Sequence, residues 1–326
     1  MTSETLDLLA LGRISVDLYA REPGNSFVQH QTFVKSIGGS PTNVAVAAAR
    51  LGLRSAVVTA VGADPLGDYA IAKLAALGVA TRYVAVMERG RTPVVLVALE
   101  DPAEPTITFL RAPDAPDTAI GPDAVDDHTV DTCRVLWMSG SALAVGKTAA
   151  TAMRWLERRA RHPHTVLDLD LRPSLWSDPS EAAAAAARAI ELSSVVVGNR
   201  RECAMAVGSS DPNAAADALL LRGVTMAVVK MGAGGVLLAT ADERVIIDPV
   251  PVMVRCGTGA GDAFGGALAT GLVNGWPLST IGRLANAAGA LVTSRLTCAD
   301  AMPTLTELEA FEAGTRPNDE RVATNG

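Results

Sequence analysis

Residues 256–264 read CGTGAGDAF, a glycine-rich turn that runs directly into a helix-like segment. Apolar residues within 262–272 recur at helical spacing, which predicts a helix that begins at about Asp262. Small residues leave backbone N–H groups unobstructed, and a helix N-terminus carries partial positive charge, so a turn of this kind forms an anion site. The backbone of 259–261 can therefore stabilise the charge on a transferring phosphoryl group.

Asp262 places a carboxylate beside this predicted anion site. A carboxylate in that position repels phosphate unless it has a proton to accept, so we interpret Asp262 as a general base for an attacking hydroxyl. The alternative is that Asp262 only caps the helix, and the turn alone does not decide between the two. It is not a Walker A loop, because no Gly-Lys-Ser/Thr follows it.

Strand-like and helix-like segments alternate along most of the chain. Nearly continuous apolar runs, which are typical of strands covered on both faces, predict core strands at 6–12, 55–62, 134–140, 165–171, 193–199 and 226–232. Helical patterns lie between them, for example at 149–160. The alternation predicts an α/β fold with a central, mostly parallel sheet and helices on both faces.

Two stretches, 13–36 and 81–112, interrupt the alternation with short strand-like pieces and no helix between them. They predict a small separate β-sheet, which leaves 1–12, 37–80 and 113–326 as the α/β core. A small sheet beside such a core serves either as a lid that excludes water during chemistry, or as an edge decoration or a surface for a homodimer. The sequence leaves these two interpretations equal.

Composition limits the classes of partner. The 326 residues carry a net charge of -7 with a pI near 5.2, so the chain lacks the overall basic character that nucleic acid binding requires. Its four cysteines form no CxxC pair, which argues against a disulfide framework or a zinc site. No apolar run is long enough to cross a bilayer, and the N-terminus lacks the pattern of a signal peptide. We expect a cytoplasmic location and a small-molecule partner, not nucleic acid or a membrane.

A second glycine-rich segment lies near the N-terminus, where residues 38–43 read GGSPTN. Paired glycines allow close approach of the backbone to a ligand, and Asn43 offers a donor and an acceptor to vicinal hydroxyls. A plain turn before a helix is the alternative. In order and spacing, this segment and the 259–262 segment resemble the two signatures of the ribokinase-like (PfkB) family of carbohydrate kinases. The resemblance spans about Leu6 to Met302.

The resemblance implies a ribokinase-like fold, with the small sheet as its lid, and a role for each matching residue. It implies that Asp262 is the base and that Gly259, Ala260 and Gly261 form the anion hole. It implies a sugar site at Asp17, Gly38, Gly39 and Asn43. It implies an ATP site at Asn199, Lys230, Gly232, Gly235, Thr258 and Asn286, with Glu202 contacting magnesium, in part through water. The alternatives are structural: a turn carboxylate at Asp17, a capped helix at 199–202, a β-hairpin turn at 230–235 and a polar helix residue at Asn286.

The cofactors that the resemblance implies are ATP and Mg²⁺. One departure concerns the turn itself, because the family often has an aspartate and a threonine at the positions of Cys256 and Gly257. This departure counts against a monovalent cation near the turn. It leaves the role of Asp262 unaffected.

A charged segment, Asp168–Pro173, lies at the end of the fourth predicted strand and bears on the substrate. Many sugar kinases of the family have asparagine at the position of Asp170, which we assign to the substrate site. Arg172 can bind a substrate carboxylate through two parallel hydrogen bonds, and Arg111, at the end of a predicted strand of the small sheet, can reach the same ligand. The alternative is an ion pair between Arg172 and Asp168 that shapes the loop.

Three segments, 12–19, 168–176 and 285–302, resemble the subgroup of the family that phosphorylates the 6-hydroxyl of 5-dehydro-2-deoxy-D-gluconate in inositol catabolism. The expected function is therefore ATP-dependent phosphorylation of that sugar acid. The alternatives are a kinase for 2-keto-3-deoxygluconate, fructose or ribose, and a non-catalytic sugar-binding regulator. A dinucleotide-binding dehydrogenase is excluded, because the first strand is followed by GRISVD and not by GxGxxG.

Overall fold

The apolar runs form the strands of two sheets in the computed structural model, which describes residues 5–170, 172, 175–176 and 178–315. The strands are β1 (Leu8–Leu11), β2 (Ser15–Ala20), β3 (Phe33–Gly38), β4 (Ser55–Gly62), β5 (Val84–Met87), β6 (Val94–Ala98), β7 (Thr106–Leu110), β8 (Val135–Ser139), β9 (Thr165–Asp168), β10 (Val195–Asn199), β11 (Met226–Lys230), β12 (Val236–Ala239) and β13 (Arg244–Ile247). The helices are α1 (Ser40–Arg50), α2 (Pro65–Ala76), α3 (Asp127–Thr132), α4 (Gly146–Arg159), α5 (Pro179–Glu191), α6 (Arg200–Val207), α7 (Pro212–Leu221), α8 (Ala260–Asn274), α9 (Leu278–Thr293) and α10 (Leu305–Thr315).

The large sheet contains nine strands in the order β13-β12-β11-β10-β9-β8-β1-β4-β5. Its pairs are parallel except at β11–β12 and β12–β13, which are antiparallel. Both faces are covered: Leu8 and Ala10 of β1 pack into one apolar cluster, whereas Leu9 and Leu11 pack into another on the opposite face. The predicted α/β fold with a mostly parallel sheet covered on both faces is confirmed.

All six predicted core strands are present, as β1, β4, β8, β9, β10 and β11. Strand β9 ends at Asp168, earlier than the predicted end at residue 171, which lies outside the described residues. The assignment of all of 81–112 to the small sheet is wrong for β5, which pairs in parallel with β4 at the edge of the large sheet. The connection through α2 explains the difference, because a helical crossover returns the chain parallel to the strand that it left.

The small sheet contains four strands in the order β3-β2-β6-β7. Strand β2 pairs antiparallel with β3 and parallel with β6, and β6 pairs antiparallel with β7. The connection between β6 and β7 reaches the glycine-rich turn, where the Gly257 N–H donates to the Pro102 carbonyl at 2.8 Å. The predicted small sheet is therefore present and lies against the turn before α8.

Helices α1 and α8 pack closely because small residues meet between them. A Cβ added at Gly266 of α8 would overlap Ala47 of α1, and one at Gly265 would lie 2.8 Å from the Trp137 ring. This close packing brings the N-termini of the two helices together. Across the described chain, no helix combines the length and the apolar character needed to cross a membrane.

Candidate active site

The N-termini of α1 and α8 meet at the carboxylate of Asp262. Ser40 Oγ donates a hydrogen bond to Asp262 Oδ1 at 2.7 Å, and Asn43 Nδ2 donates to Oδ2 at 2.8 Å. The two contacts join residues that are 222 and 219 positions apart in the sequence. The two glycine-rich segments that the sequence singled out therefore belong to one site.

The contacts of Asp262 do not match those of a helix cap. The N-cap of α8 is Gly259, whose φ of 81° lies in the left-handed region that favours glycine. Both carboxylate oxygens of Asp262 accept hydrogen bonds from side chains of α1. The N–H groups at the start of α8 have no partner within the helix and remain available to an anion.

Burial governs the acidity of Asp262. It raises the pKa of this carboxyl above its ordinary value, whereas the hydrogen bonds from Asn43 and Ser40 act in the opposite direction. Asp170 raises the pKa further through its negative charge. A carboxylate with a raised pKa holds an abstracted proton more readily than an exposed one does.

A cavity of about 600 Å³ opens in front of Asp262, between the two sheets. Most of the residues that the sequence assigned to the site line it: Asp17, Gly39, Asn43, Arg111, Asp170, Arg172, Asn199, Glu202, Lys230, Thr258, Gly259, Gly261 and Asp262. Strands β6 and β7 of the small sheet supply Val95, Val97, Ile107 and Phe109 to the same cavity. The cavity is large enough for a small organic ligand and has both charged and apolar walls.

Five residues of the predicted site are absent from the cavity lining: Gly38, Ala260, Gly232, Gly235 and Asn286. At Gly38 the structure gives a different reason for glycine, because a Cβ there would overlap the Asp17 carboxylate. Gly235 has a φ of 82°, and a Cβ there would overlap the Ile247 carbonyl. Asn286 Nδ2 donates to the Asp248 carbonyl at 2.7 Å and ties α9 to the segment after β13.

Asp17 of β2 is buried at the edge of the cavity beside the small sheet. Ser15 Oγ donates to its Oδ1 at 2.6 Å, and the Tyr19 hydroxyl donates to its Oδ2 at 3.2 Å. Burial raises the pKa of Asp17 to about 6, although both hydrogen bonds oppose the shift. The interpretation of Asp17 as an exposed turn carboxylate is therefore wrong.

Asn199 and Glu202 form a capping box at the start of α6. The Glu202 N–H donates to Asn199 Oδ1 at 2.9 Å, and the Asn199 N–H donates to Glu202 Oε2 at 2.7 Å. The structural interpretation of this motif is thus correct. Both residues also line the cavity, so the cap does not exclude a second role.

Lys230, at the end of β11, lies among carboxylates on the same wall. Its Nζ is 3.8 Å from Asp168 Oδ1. Burial alone lowers the pKa of Lys230, but Asp168 and Glu202 more than reverse this and keep the ammonium charged. The 230–235 segment forms the predicted β-hairpin turn between β11 and β12.

The two arginines assigned to a substrate carboxylate both have protein partners. Arg111 Nη1 lies 2.6 Å from Asp117 Oδ1, and Arg172 Nε donates to Asp170 Oδ1 at 2.8 Å. The predicted alternative pair of Arg172 with Asp168 is not the one observed. Leu171 and Pro173, from the same charged segment, lie outside the described residues.

Sequence reasoning missed several residues that line this cavity. Ser40 stands inside the 38–43 segment, but a serine in a turn carries no distinct signal. Arg13 follows the first core strand, and the carboxyl ends of such strands are where α/β folds bind ligands, so this signal was available. Asp168 ends β9 and satisfies the same rule.

Thr258, in the turn before α8, is held by two thiols. Its Oγ1 lies 2.9 Å from Cys256 Sγ and accepts a hydrogen bond from Cys298 Sγ at 3.3 Å. Burial raises the pKa of both thiols, so they remain neutral at physiological pH. The position where the resembling family often has an aspartate thus carries an uncharged sulfur.

Comparison with known proteins gives a consistent result. The family described as pfkB family carbohydrate kinase matches residues 5–305. A 5-dehydro-2-deoxygluconokinase from Geobacillus thermodenitrificans is 30% identical over 313 residues, which cover 94% of this chain and 93% of the relative. An uncharacterized sugar kinase from Pyrococcus horikoshii in complex with ATP aligns with a TM-score of 0.78 at 26% identity, over 94% of this chain and 99% of its own. A fructokinase double mutant from Vibrio cholerae with bound fructose, ADP and potassium ion aligns with a TM-score of 0.82 at 28% identity. The alignment covers 95% of this chain and 99% of the fructokinase chain.

Proposed function

The chain belongs to the pfkB family of carbohydrate kinases, and from that premise we propose that it transfers the γ-phosphoryl group of ATP to the 6-hydroxyl of 5-dehydro-2-deoxy-D-gluconate. The observation that carries the proposal is the Asp262 carboxylate, held by Ser40 and Asn43 where the cavity meets the N-terminus of α8. A base and an anion site side by side are what phosphoryl transfer to a hydroxyl requires.

In the proposed reaction the sugar acid lies between Asp17, Gly39 and Asn43 on one side and the small sheet on the other. ATP lies beyond the 257–262 turn, near Asn199, Lys230 and Thr258. Asp262 takes the proton of the 6-hydroxyl, and the oxygen attacks the γ-phosphorus in line as the bond to the β-phosphate oxygen breaks and ADP leaves. The N–H groups of 259–261 stabilise the negative charge on the transferring group.

The small sheet supports a water-free reaction site. Its β6–β7 connection already touches the turn at Gly257, and its apolar side chains cover the cavity. Exclusion of water protects the phosphoryl group from hydrolysis and strengthens the electrostatic contacts around it. We propose the lid role for this sheet on that basis, with the homodimer surface as the second interpretation.

Mg²⁺ fits the oxygen donors on the ATP side of the cavity. Among the described side chains no group of three or more His, Cys, Asp or Glu residues is arranged to hold a metal. Asp168 and Glu202 supply carboxylate oxygens to this side of the cavity, and Mg²⁺, which retains water and nucleotide oxygens, needs only one or two carboxylates. Glu202, through water, and Asp168 would hold the ion, which neutralises charge on the phosphates when bound.

A monovalent cation does not fit the turn before α8. Cys256 and Cys298 present neutral thiols, whereas hard cations prefer oxygen ligands. The thiols already hold Thr258 by hydrogen bonds. We therefore propose that the turn is fixed by its own side chains and needs no monovalent cation.

An acidic substrate is favoured by the arginines that line the cavity. Arg111 and Arg172 both line it, and guanidinium groups bind carboxylates through paired hydrogen bonds. The similarity to a 5-dehydro-2-deoxygluconokinase over 94% of the chain supports the same choice. The second candidate is a kinase for a neutral sugar such as fructose, which the structural similarity to the fructokinase favours.

ADP release with MgATP tests the proposal across 5-dehydro-2-deoxygluconate, 2-keto-3-deoxygluconate, fructose, ribose and adenosine. We expect the highest kcat/KM with the first compound. A preference for fructose or ribose would contradict the acid-sugar assignment and leave the carbohydrate kinase in place. Thermal stabilisation by a sugar without ADP release would favour a non-catalytic regulator.

A further inference from the structure

Arg13 lies in the connection between β1 and β2 and lines the same cavity as Asp262. Its backbone is fixed on both sides. Thr42 Oγ1 donates to the Arg13 carbonyl at 2.9 Å, and the next residue, Ile14, donates its N–H to Asp117 Oδ2 at 3.3 Å. The arginine is thus anchored to α1 and to the segment after β7, which leaves its side chain directed to the sugar side of the cavity.

The three arginines of this cavity differ in their partners. Arg111 is paired with Asp117 and Arg172 with Asp170. Arg13 forms no ion pair within 4.0 Å with any side chain in the described part of the chain, and its Nε is buried without a hydrogen-bond partner there. Asp170 and Asp117 act on Arg13 only from beyond 4.0 Å, where they oppose the lowering of its pKa by burial. An anion bound directly to the guanidinium would therefore supply the hydrogen-bond acceptor that it lacks.

Phe109 of the small sheet covers this side chain. The Arg13 guanidinium carbon lies 5.8 Å from the centre of the Phe109 ring, within the range of a cation–π contact. The ring orients the planar guanidinium and shields one face from water. Both effects strengthen a hydrogen-bonded pair with a ligand carboxylate.

We propose that Arg13 is the specificity-determining residue that binds the carboxylate of the sugar acid. The inference rests on the proposed function and deepens it, because it identifies which cation distinguishes an acid from a neutral sugar. Arg111 and Arg172 contribute positive charge around the ligand, but each must share its guanidinium with a protein carboxylate. Arg13 is free to donate two parallel hydrogen bonds to the ligand.

The test compares equilibrium binding of 5-dehydro-2-deoxygluconate and of its neutral carboxamide to the full chain by titration calorimetry. We expect the wild type to prefer the acid. Arg13→Gln should weaken binding of the acid by about 10- to 100-fold, as expected for a hydrogen bond to a charged group, and bind the carboxamide as the wild type does. Arg13→Lys should bind the acid with an affinity between those of the wild type and Arg13→Gln, because lysine keeps the charge but lacks the planar guanidinium that forms two parallel hydrogen bonds.

Arg21→Gln is the matched control, since Arg21 is an exposed arginine just after β2 and outside the cavity lining. It should bind both ligands as the wild type does. Thermal stabilisation by MgATP reports that each variant is folded with an intact ATP site. In turnover, Arg13→Gln should raise KM for the acid far more than it lowers kcat.

Two results would overturn the role of Arg13. One is an Arg13→Gln variant that binds ATP normally and still prefers the acid over the carboxamide. The other is a wild type with no such preference. Failure of the proposed function looks different: the acid would bind in an Arg13-dependent manner, but no ADP would form.

Discussion

Two carboxylates of the cavity, Asp17 and Asp262, are buried in different surroundings. Asp17 is held within the small sheet by Ser15 and Tyr19, whereas Asp262 is held by Ser40 and Asn43 across two helix N-termini. Burial raises the pKa of both. Groups of this kind destabilise a fold when charged and are retained where a ligand makes use of them.

Asp17→Asn should stabilise the fold above neutral pH. The pKa of Asp17 is about 6 in the folded chain against an ordinary 3.8, so the folded state binds more protons between these values. The stability of the wild type therefore falls as pH rises through this window. The amide side chain of the variant does not ionise, so the variant does not lose this stability. We expect the free energy of unfolding at pH 8 to rise by about 1–3 kcal/mol in urea denaturation.

The same comparison at pH 4 provides the control, because Asp17 is then mostly protonated in the folded state. The gain should shrink there. An Asp17→Asn variant that is less stable than the wild type at pH 8 would contradict the burial argument. The variant should also bind the sugar more weakly, since it loses a charged acceptor for hydroxyls.

At single residues, sequence reasoning assigned Asp17, Asn43 and Asp262 to one site, and the structure brings them to one cavity. The sequence alone did not show how they are held. Gly38 was assigned to the ligand, whereas the structure shows that it makes room for Asp17. Arg111 was expected to be available, but Asp117 is its partner. Contacts of this kind join residues that are distant in sequence, and no local pattern records them.

At the level of elements, helix α1 depends on a glycine at each end. Gly39 precedes it with φ of 100°, and Gly52 follows it with φ of 96°. A Cβ at Gly39 would overlap the Arg13 carbonyl, whereas no described atom lies within 4 Å of a Cβ at Gly52. A side chain at either position would be strained by the positive φ. Only at Gly39 would it also collide with neighbouring backbone atoms.

Alanine at these positions separates the two costs. Gly52→Ala should cost about 1–2 kcal/mol in stability and leave kcat/KM near the wild-type value. Gly39→Ala should in addition displace Ser40 and Asn43 from Asp262 and lower kcat/KM by about 100-fold. Thermal unfolding and ADP release on both variants check this, and equal activities would contradict the role of the close approach at Gly39.

The turn before α8 predicts the response to monovalent cations. Because neutral thiols of Cys256 and Cys298 hold Thr258, replacing potassium by tetramethylammonium should change kcat by less than about twofold. Cys256→Ser is the control, since it keeps a group that can hydrogen-bond with Thr258. Activation of the wild type by potassium would contradict a turn held by its own side chains.

Elements with strong periodicity were the ones that sequence predicted well. The six core strands and α8 follow from apolar runs and helical spacing. Strand β5 was misassigned because it is short and half-exposed at the sheet edge, so its pattern does not differ from that of the small sheet. The sheet to which a strand belongs depends on the strand that it pairs with, and the apolar pattern of a strand does not specify that partner.

For the whole molecule, function arises where separate elements converge. The large sheet positions Asp168, Asn199 and Lys230 at strand ends, and the packing of α1 on α8 brings Asp262 to the same cavity. The small sheet lines the opposite side. The general arrangement was predictable from the alternation of strands and helices and from the two glycine-rich segments, because each segment lies at a helix N-terminus.

The most direct measurement is turnover of Asp262→Asn with MgATP and the best substrate of the wild type. We expect kcat to fall by about 10²- to 10⁴-fold, as for loss of a general base, with stability at least that of the wild type and unchanged ATP binding. Asp178→Asn, at the N-cap of α5, is the matched control and should retain full turnover. An Asp262→Asn variant within tenfold of the wild type, about 1.4 kcal/mol of barrier, would contradict Asp262 as the base.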